Sequence, residues 1–214
     1  MAARSESTPW RGDPLPRGRH KLSVDEVRAS QRERLLRAML ELVGERGYAA
    51  TTVPDVVAAA RVSRNGFYAL FEDKADCFLA LCDEVANEIL DELLALGDQE
   101  SWRAALERGM EIYLRSWQDR PLFARAYLVE LPSAGERAIE QRDRQFERFR
   151  ALFDGMAAWA RRDDPSLPQL NPLATRLLVG GITELVAEEV RAGRVDALVD
   201  RRAELVELVA RVIA

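Results

Sequence analysis

Histidine occurs once in this 214-residue chain, and cysteine and lysine twice each. The single histidine, His20, sits in a proline- and arginine-bearing N-terminal stretch without apolar periodicity. No G-x-S-x-G, no phosphate-cradling glycine-rich loop and no Cys/His metal-ligand spacing accompanies it. The paired carboxylates Asp163–Asp164 and Glu188–Glu189 are adjacent in sequence, diverge on a helix and read as solvated charges. Neither an enzyme nor a metal or cofactor is expected. No apolar run approaches the ~18–20 residues that a membrane span needs, and the polar N-terminus lacks the apolar core of a signal peptide. Cys77 and Cys82 lie five residues apart on one expected helix, which turns them to different faces and disfavours a mutual disulfide. Both read as buried thiols. A cytoplasmic protein without a membrane partner is expected.

Hydrophobic residues make up 48% of the chain and charged residues 31%, enough for one or two compact domains with a proper core. The net charge of −5 argues at first against a nucleic-acid partner, but it is unevenly spread. Residues 1–74 hold 13 basic and 10 acidic side chains, net +3, and residues 75–214 hold 18 and 26, net −8. A mildly basic head on an acidic body suits a protein that meets phosphate at one end. Both lysines, Lys21 and Lys74, fall in the head.

Residues 46–75, RGYAATTVPDVVAAARVSRNGFYALFEDKA, read as two short helices joined by a tight turn and followed at once by a third. Thr52 is a good N-cap, and Val53, Val56, Val57 and Ala60 follow at helical spacing. The turn falls at Arg61–Val62. Ser63 then caps a second helix whose Phe67, Leu70 and Phe71 point inward. Two helices so joined make a helix-turn-helix, whose second helix enters a DNA major groove. Arg64, Asn65, Gly66, Tyr68 and Ala69 are left outward. Arg64 can offer guanine, and Asn65 adenine, two correctly spaced hydrogen bonds. Gly66 costs a helix about 1 kcal/mol relative to alanine, so its expected use is backbone approach to DNA.

The ordered set G-Y-x-x-T-T-V, V-V-x-x-A, V-S, F-Y-x-x-F and a lysine three residues on resembles the DNA-binding domain of the TetR family of transcriptional regulators. Gly47, Tyr48, Thr51, Thr52, Val53, Val56, Val57, Ala60, Val62, Ser63, Phe67, Tyr68, Phe71 and Lys74 carry it. The resemblance spans residues 23–74. It implies that Thr52, Tyr68 and Lys74 hold phosphates, alongside the Ser63 cap. It also implies a homodimer on a palindromic double-stranded operator, most simply as a repressor, and a second domain enclosing a small-molecule effector. Arg61 stands where the family has a turn glycine, Leu70 where it often has histidine or tyrosine, and Cys77 where it often has leucine.

The expected fold is all-α, an N-terminal three-helix helix-turn-helix domain plus a C-terminal helical domain for ligand binding and dimerisation. Residues 1–22, ending in the basic RGRHK, read as a flexible arm that either touches DNA or is solvated. Residues 23–75 form the DNA-binding domain, opened by a Ser23/Glu26 capping box, and residues 76–214 the second. Helices are expected at about 73–96, 100–119, 121–131, 134–163, 172–192 and 195–213, punctuated by prolines.

In the second domain Tyr113 and Trp117 share a helix face, as do Phe123 and Tyr127, and Phe146, Phe149 and Phe153. Such stripes serve as core or as a cavity wall, and the family resemblance favours the wall. Thr183 and Glu184 are the polar side chains of the apolar run 177–186 and the candidates to line such a cavity, Glu184 alternatively taking a rim position with its carboxylate in water. The last helix carries Leu198, Leu205 and Val212 seven apart, a helix-packing seam that serves either inside one chain or between two copies. With Leu177, Gly180, Gly181 and Val209, it gives the expected homodimer interface. An enzyme and a helical interaction module with a degenerate helix-turn-helix are the competing classes, and intact Arg64, Tyr68 and Lys74 argue against the latter.

Overall fold

The computed structural model describes residues 23–97 and 99–214. The arm read at residues 1–22 lies outside the described residues. Every regular element among the described residues is helical. They divide into two compact units, one running through Leu81 and the other from Cys82 to Ala214.

The first unit starts with α1 (Val24–Arg46), opened by the Ser23/Glu26 capping box and closed at Gly47, whose φ of 88° an L side chain rarely adopts. Leu35, Leu36, Met39 and Val43 line its buried face. α2 (Val53–Ala60) packs on α1 and buries Val56 and Ala60. α3 (Arg64–Tyr68) buries Phe67. α4 (Lys74–Leu94) begins where the Asp73 carboxylate accepts from the Asp76 N–H at 2.7 Å. Its Phe78 ring packs at 5.1 Å from the Tyr48 ring. Burial raises the thiols of Cys77 and Cys82 far above the usual thiol range, so neither is a ready thiolate.

In the second unit, the later part of α4 is followed by α5 (Trp102–Gln118), α6 (Pro121–Arg125), α7 (Glu136–Asp163), α8 (Pro172–Arg191) and α9 (Arg202–Ile213). Two expected helices differ in the structure. The segment expected at 121–131 is α-helical only through Arg125. It widens to a π-helix over Ala126–Glu130 and tightens to a 3-10 turn over Leu131–Ala134. Pro132 has no N–H to close an α-turn on the Leu128 carbonyl. The helix expected at 195–213 becomes regular only at Arg202, after 3-10 turns at Val195–Ala197 and Val199–Arg201. There the Val199 N–H donates to the Gln118 side chain at 3.1 Å instead of to an α-helical carbonyl.

The seven-residue seam faces inward at two of its three positions. Leu198 and Leu205, with Val209, are buried within the single chain, and α9 packs on α5. They are therefore not the free surface that the interface reading needed. The outward apolar positions are Leu177, which is 67% exposed, with Leu173, Leu185, Leu208 and Val212. Gly180 and Gly181 have open space where a side chain would stand.

Candidate nucleic-acid interface and candidate ligand cavity

The helix-turn-helix is held by side chains that satisfy helix ends. The Thr52 hydroxyl accepts from the Asp55 N–H while the Asp55 carboxylate accepts from the Thr52 N–H at 2.9 Å, a capping box for α2. The Thr52 hydroxyl, which donates to the Asp55 carboxylate at 2.5 Å, then the Thr52 N–H and the Arg46 guanidinium 2.7 Å away, hold the Asp55 carboxyl below the usual carboxylate range. At its other end α2 stops on Arg61, the one non-glycine residue with positive φ among the described residues (φ 52°, ψ 44°). The turn thus keeps a left-handed shape without the glycine that suits it. Arg34 on α1 offsets part of this cost. Its Nη1 donates to the Ala60 and Arg61 carbonyls at 3.1 and 3.2 Å, placing a cation on carbonyls that a helix C-terminus leaves unpaired.

Ser63 then caps α3, its hydroxyl accepting from the Gly66 N–H at 3.0 Å. Phe67 is wholly buried, with Phe71 tilted against it at 5.6 Å. With Phe67 inward, Arg64, Asn65 and Tyr68 are exposed on the opposite face. The Arg64 guanidinium lies 5.7 Å from the Tyr68 ring centre, and Tyr68 stands edge-on to Phe67. A rigid phenol thus carries a stacked guanidinium on the outward face of a short capped helix.

Like the caps Thr52 and Ser63, Gly66 and Lys74, both expected at the DNA, have intramolecular work. A Cβ on Gly66 would meet Val62 Cγ1 at 2.8 Å, closer than real contacts come, and Ser63 Oγ at 3.2 Å. The turn itself therefore excludes a side chain at Gly66, whatever the DNA requires. Lys74 donates from Nζ to the Tyr48 and Thr51 carbonyls, both at 2.9 Å, and lies 3.9 Å from the Tyr48 ring centre. Two of its three ammonium protons are thereby used, and partial burial lowers its pKa. Arg34 was missed in the sequence, because no local pattern marks a side chain that reaches 26 residues ahead.

The second unit encloses a cavity of about 70 Å³. Tyr113, Trp117, Tyr127, Phe146, Phe149, Phe153 and Thr183 line it. Phe123 does not. It stacks flat behind Trp117, 5.6 Å away and 3° from parallel, as a buried support. Glu184 does not either, since the next residue on a helix turns away from Thr183. Its carboxylate pairs with Arg191 and borders an adjoining cavity of about 170 Å³. Ile89, Leu93, Met110 and Met156 are among the further lining residues and are not singled out in the sequence, where helical-spaced aliphatics look like any core. The Tyr113 hydroxyl lies beside Thr183 and Trp117, and burial pushes its pKa up, so it stays neutral.

The geometry of the first unit is that of a helix-turn-helix DNA-binding protein. The family described as bacterial regulatory proteins, tetR family, matches residues 35–81. The first unit is accordingly a DNA-binding domain of the tetR family of transcriptional regulators. The transcriptional regulator AcuR of Cereibacter sphaeroides is 42% identical over 67 residues, which are 31% of this chain and 30% of AcuR. Among solved structures, the regulator FadR from Bacillus subtilis, in complex with stearoyl-CoA, is similar at a TM-score of 0.74 and 17% identity, covering 82% of this chain and 96% of that one. FadR from Bacillus halodurans gives 0.77 and 16%, covering 84% and 94%. A tetR-family regulator from Rhodococcus RHA1 gives 0.69 and 18%, covering 86% and 97%. At these identities the likeness is one of fold, and it runs through both units.

Proposed function

We propose that the chain is a ligand-responsive repressor. It binds a palindromic operator as a homodimer, and a small, largely apolar effector releases it. The observation that carries the reading is the α3 face. Arg64, Asn65 and Tyr68 project outward from a helix capped by Ser63 and anchored by Phe67, the arrangement a major-groove reader needs. The second copy docks on the outward stripe of α8 and α9, where Leu177, Gly181, Leu208 and Val212 present apolar or open surface.

The effector occupies the aromatic cavity. That a fold neighbour is described with stearoyl-CoA supports an apolar ligand there. Release works by population shift. The effector favours a conformation of α4, which continues from the first unit into the second, in which the two recognition helices are out of register with their half-sites. Selection of bound sequences from random DNA tests the reading. Inverted half-sites are expected, and single asymmetric boxes bound by monomer would contradict it.

A further inference from the structure

We infer that Arg142 is the anchor for an effector carboxylate. The effector is then amphipathic, with a neutral apolar body in the aromatic cavity and its anionic head in the adjoining one. This rests on reading the second unit as effector-binding. The aromatic cavity has no charged side chain in its lining among the described residues, and burial holds Tyr113 and Tyr127 neutral. An ionised group placed there would be desolvated without a counter-charge, so only the neutral part of a ligand fits.

The two cavities share Tyr127, Phe146 and Thr183 and so adjoin across these side chains. Arg142 borders the second cavity with its guanidinium 5.5 Å from the Phe146 ring centre. Its Nε is buried and has no hydrogen-bond partner among the described residues. Its carboxylate contact is exposed Asp143 at 3.6 Å, beyond good hydrogen-bond distance. Glu184 borders the same space, but Arg191 already balances it. Asp83, the other acid near Tyr127, accepts from Gln145. The guanidinium, on a side chain 35% exposed, thus borders the cavity with no carboxylate at good hydrogen-bond distance, and its planar donors suit a carboxylate placed there.

Calorimetry on the full chain with octanoate, 1-octanol and octylamine tests this. Octanoate is expected to bind at least about tenfold tighter than 1-octanol, with octylamine weakest. Arg142→Gln should bring octanoate down to the affinity of 1-octanol and leave 1-octanol unchanged. Arg142→Lys, which keeps the charge but loses the fork, should fall between. Equal binding of octanoate and 1-octanol by the unmodified chain overturns the Arg142 assignment and leaves the effector cavity standing, as does an undiminished preference in Arg142→Gln. Failure of all three probes to bind overturns both.

Discussion

The Lys74 ammonium lies 3.9 Å from the centre of the Tyr48 ring and donates to the Tyr48 carbonyl at 2.9 Å. A second bond to the Thr51 carbonyl fixes the turn that ends in Thr52, the cap of α2. One residue at the start of α4 thus holds the loop that positions the first helix of the helix-turn-helix. Lys74→Met should lower stability by about 3 kcal/mol, the low end for two hydrogen bonds from a charged donor. It should also weaken binding to all DNA sequences alike. Urea denaturation and anisotropy titrations on specific and random duplexes measure both, and unchanged stability would mean that the two bonds are incidental.

Arg61 is strained and Arg34 compensates. Arg61→Gly should stabilise the fold by about 1 kcal/mol, because glycine adopts the left-handed conformation freely. Arg34→Ala should destabilise it by about 1–3 kcal/mol, leaving the Ala60 and Arg61 carbonyls without their partner. A shift of both denaturation midpoints in the same direction would contradict the account.

Gly66→Ala separates packing from DNA approach. The added methyl meets a valine whose χ1 is stiff, so a loss of about 1–3 kcal/mol is expected before any DNA is present. A variant as stable as the parent but unable to bind DNA would return Gly66 to the groove.

The sequence made the helix-turn-helix legible because its signals are local. Thr52 and Ser63 announce two helix starts, Phe67 and Phe71 mark the inward face, and the structure places each of them so. The cavity was legible in part, since aromatic stripes at helical spacing identify a shared face. The partners of a face are not in its own segment, so Phe123 could be told from the lining only once its stacking on Trp117 was visible. The heptad in the last helix was real, but spacing alone does not say which neighbour a seam meets. In the structure, the neighbour of Leu205 and Val209 is their own chain.

Burial decides which substitution tests the dimer. Leu205 is 6% exposed, so Leu205→Glu should unfold the second unit rather than separate two intact protomers. Leu177→Glu places the charge on the outward stripe and should yield folded monomer in light scattering. A folded Leu177→Glu dimer would move the interface off this face of α8.

The Asp55 carboxyl gives a pH dependence whose sign is fixed. Its folded-state pKa lies below the ordinary value, through the Thr52 hydrogen bonds first. The stability it contributes is therefore full above the unfolded-state pKa of about 3.9 and is lost as pH falls below that toward the folded value. The stability difference between the parent and Asp55→Asn at pH 6 should shrink progressively as pH falls below about 3.9. A constant difference across that range would exclude the capping carboxylate as its source.

In the proposed function α3 reads base sequence through Arg64. Binding-site selection from random DNA with the unmodified chain and Arg64→Ala side by side tests it most directly. The account predicts inverted half-sites for the unmodified chain. For the variant it predicts the same sites with preference relaxed at one base pair in each half-site, by about 1–3 kcal/mol. An unaltered selected sequence in Arg64→Ala, or no enriched sequence with the unmodified chain, would contradict it.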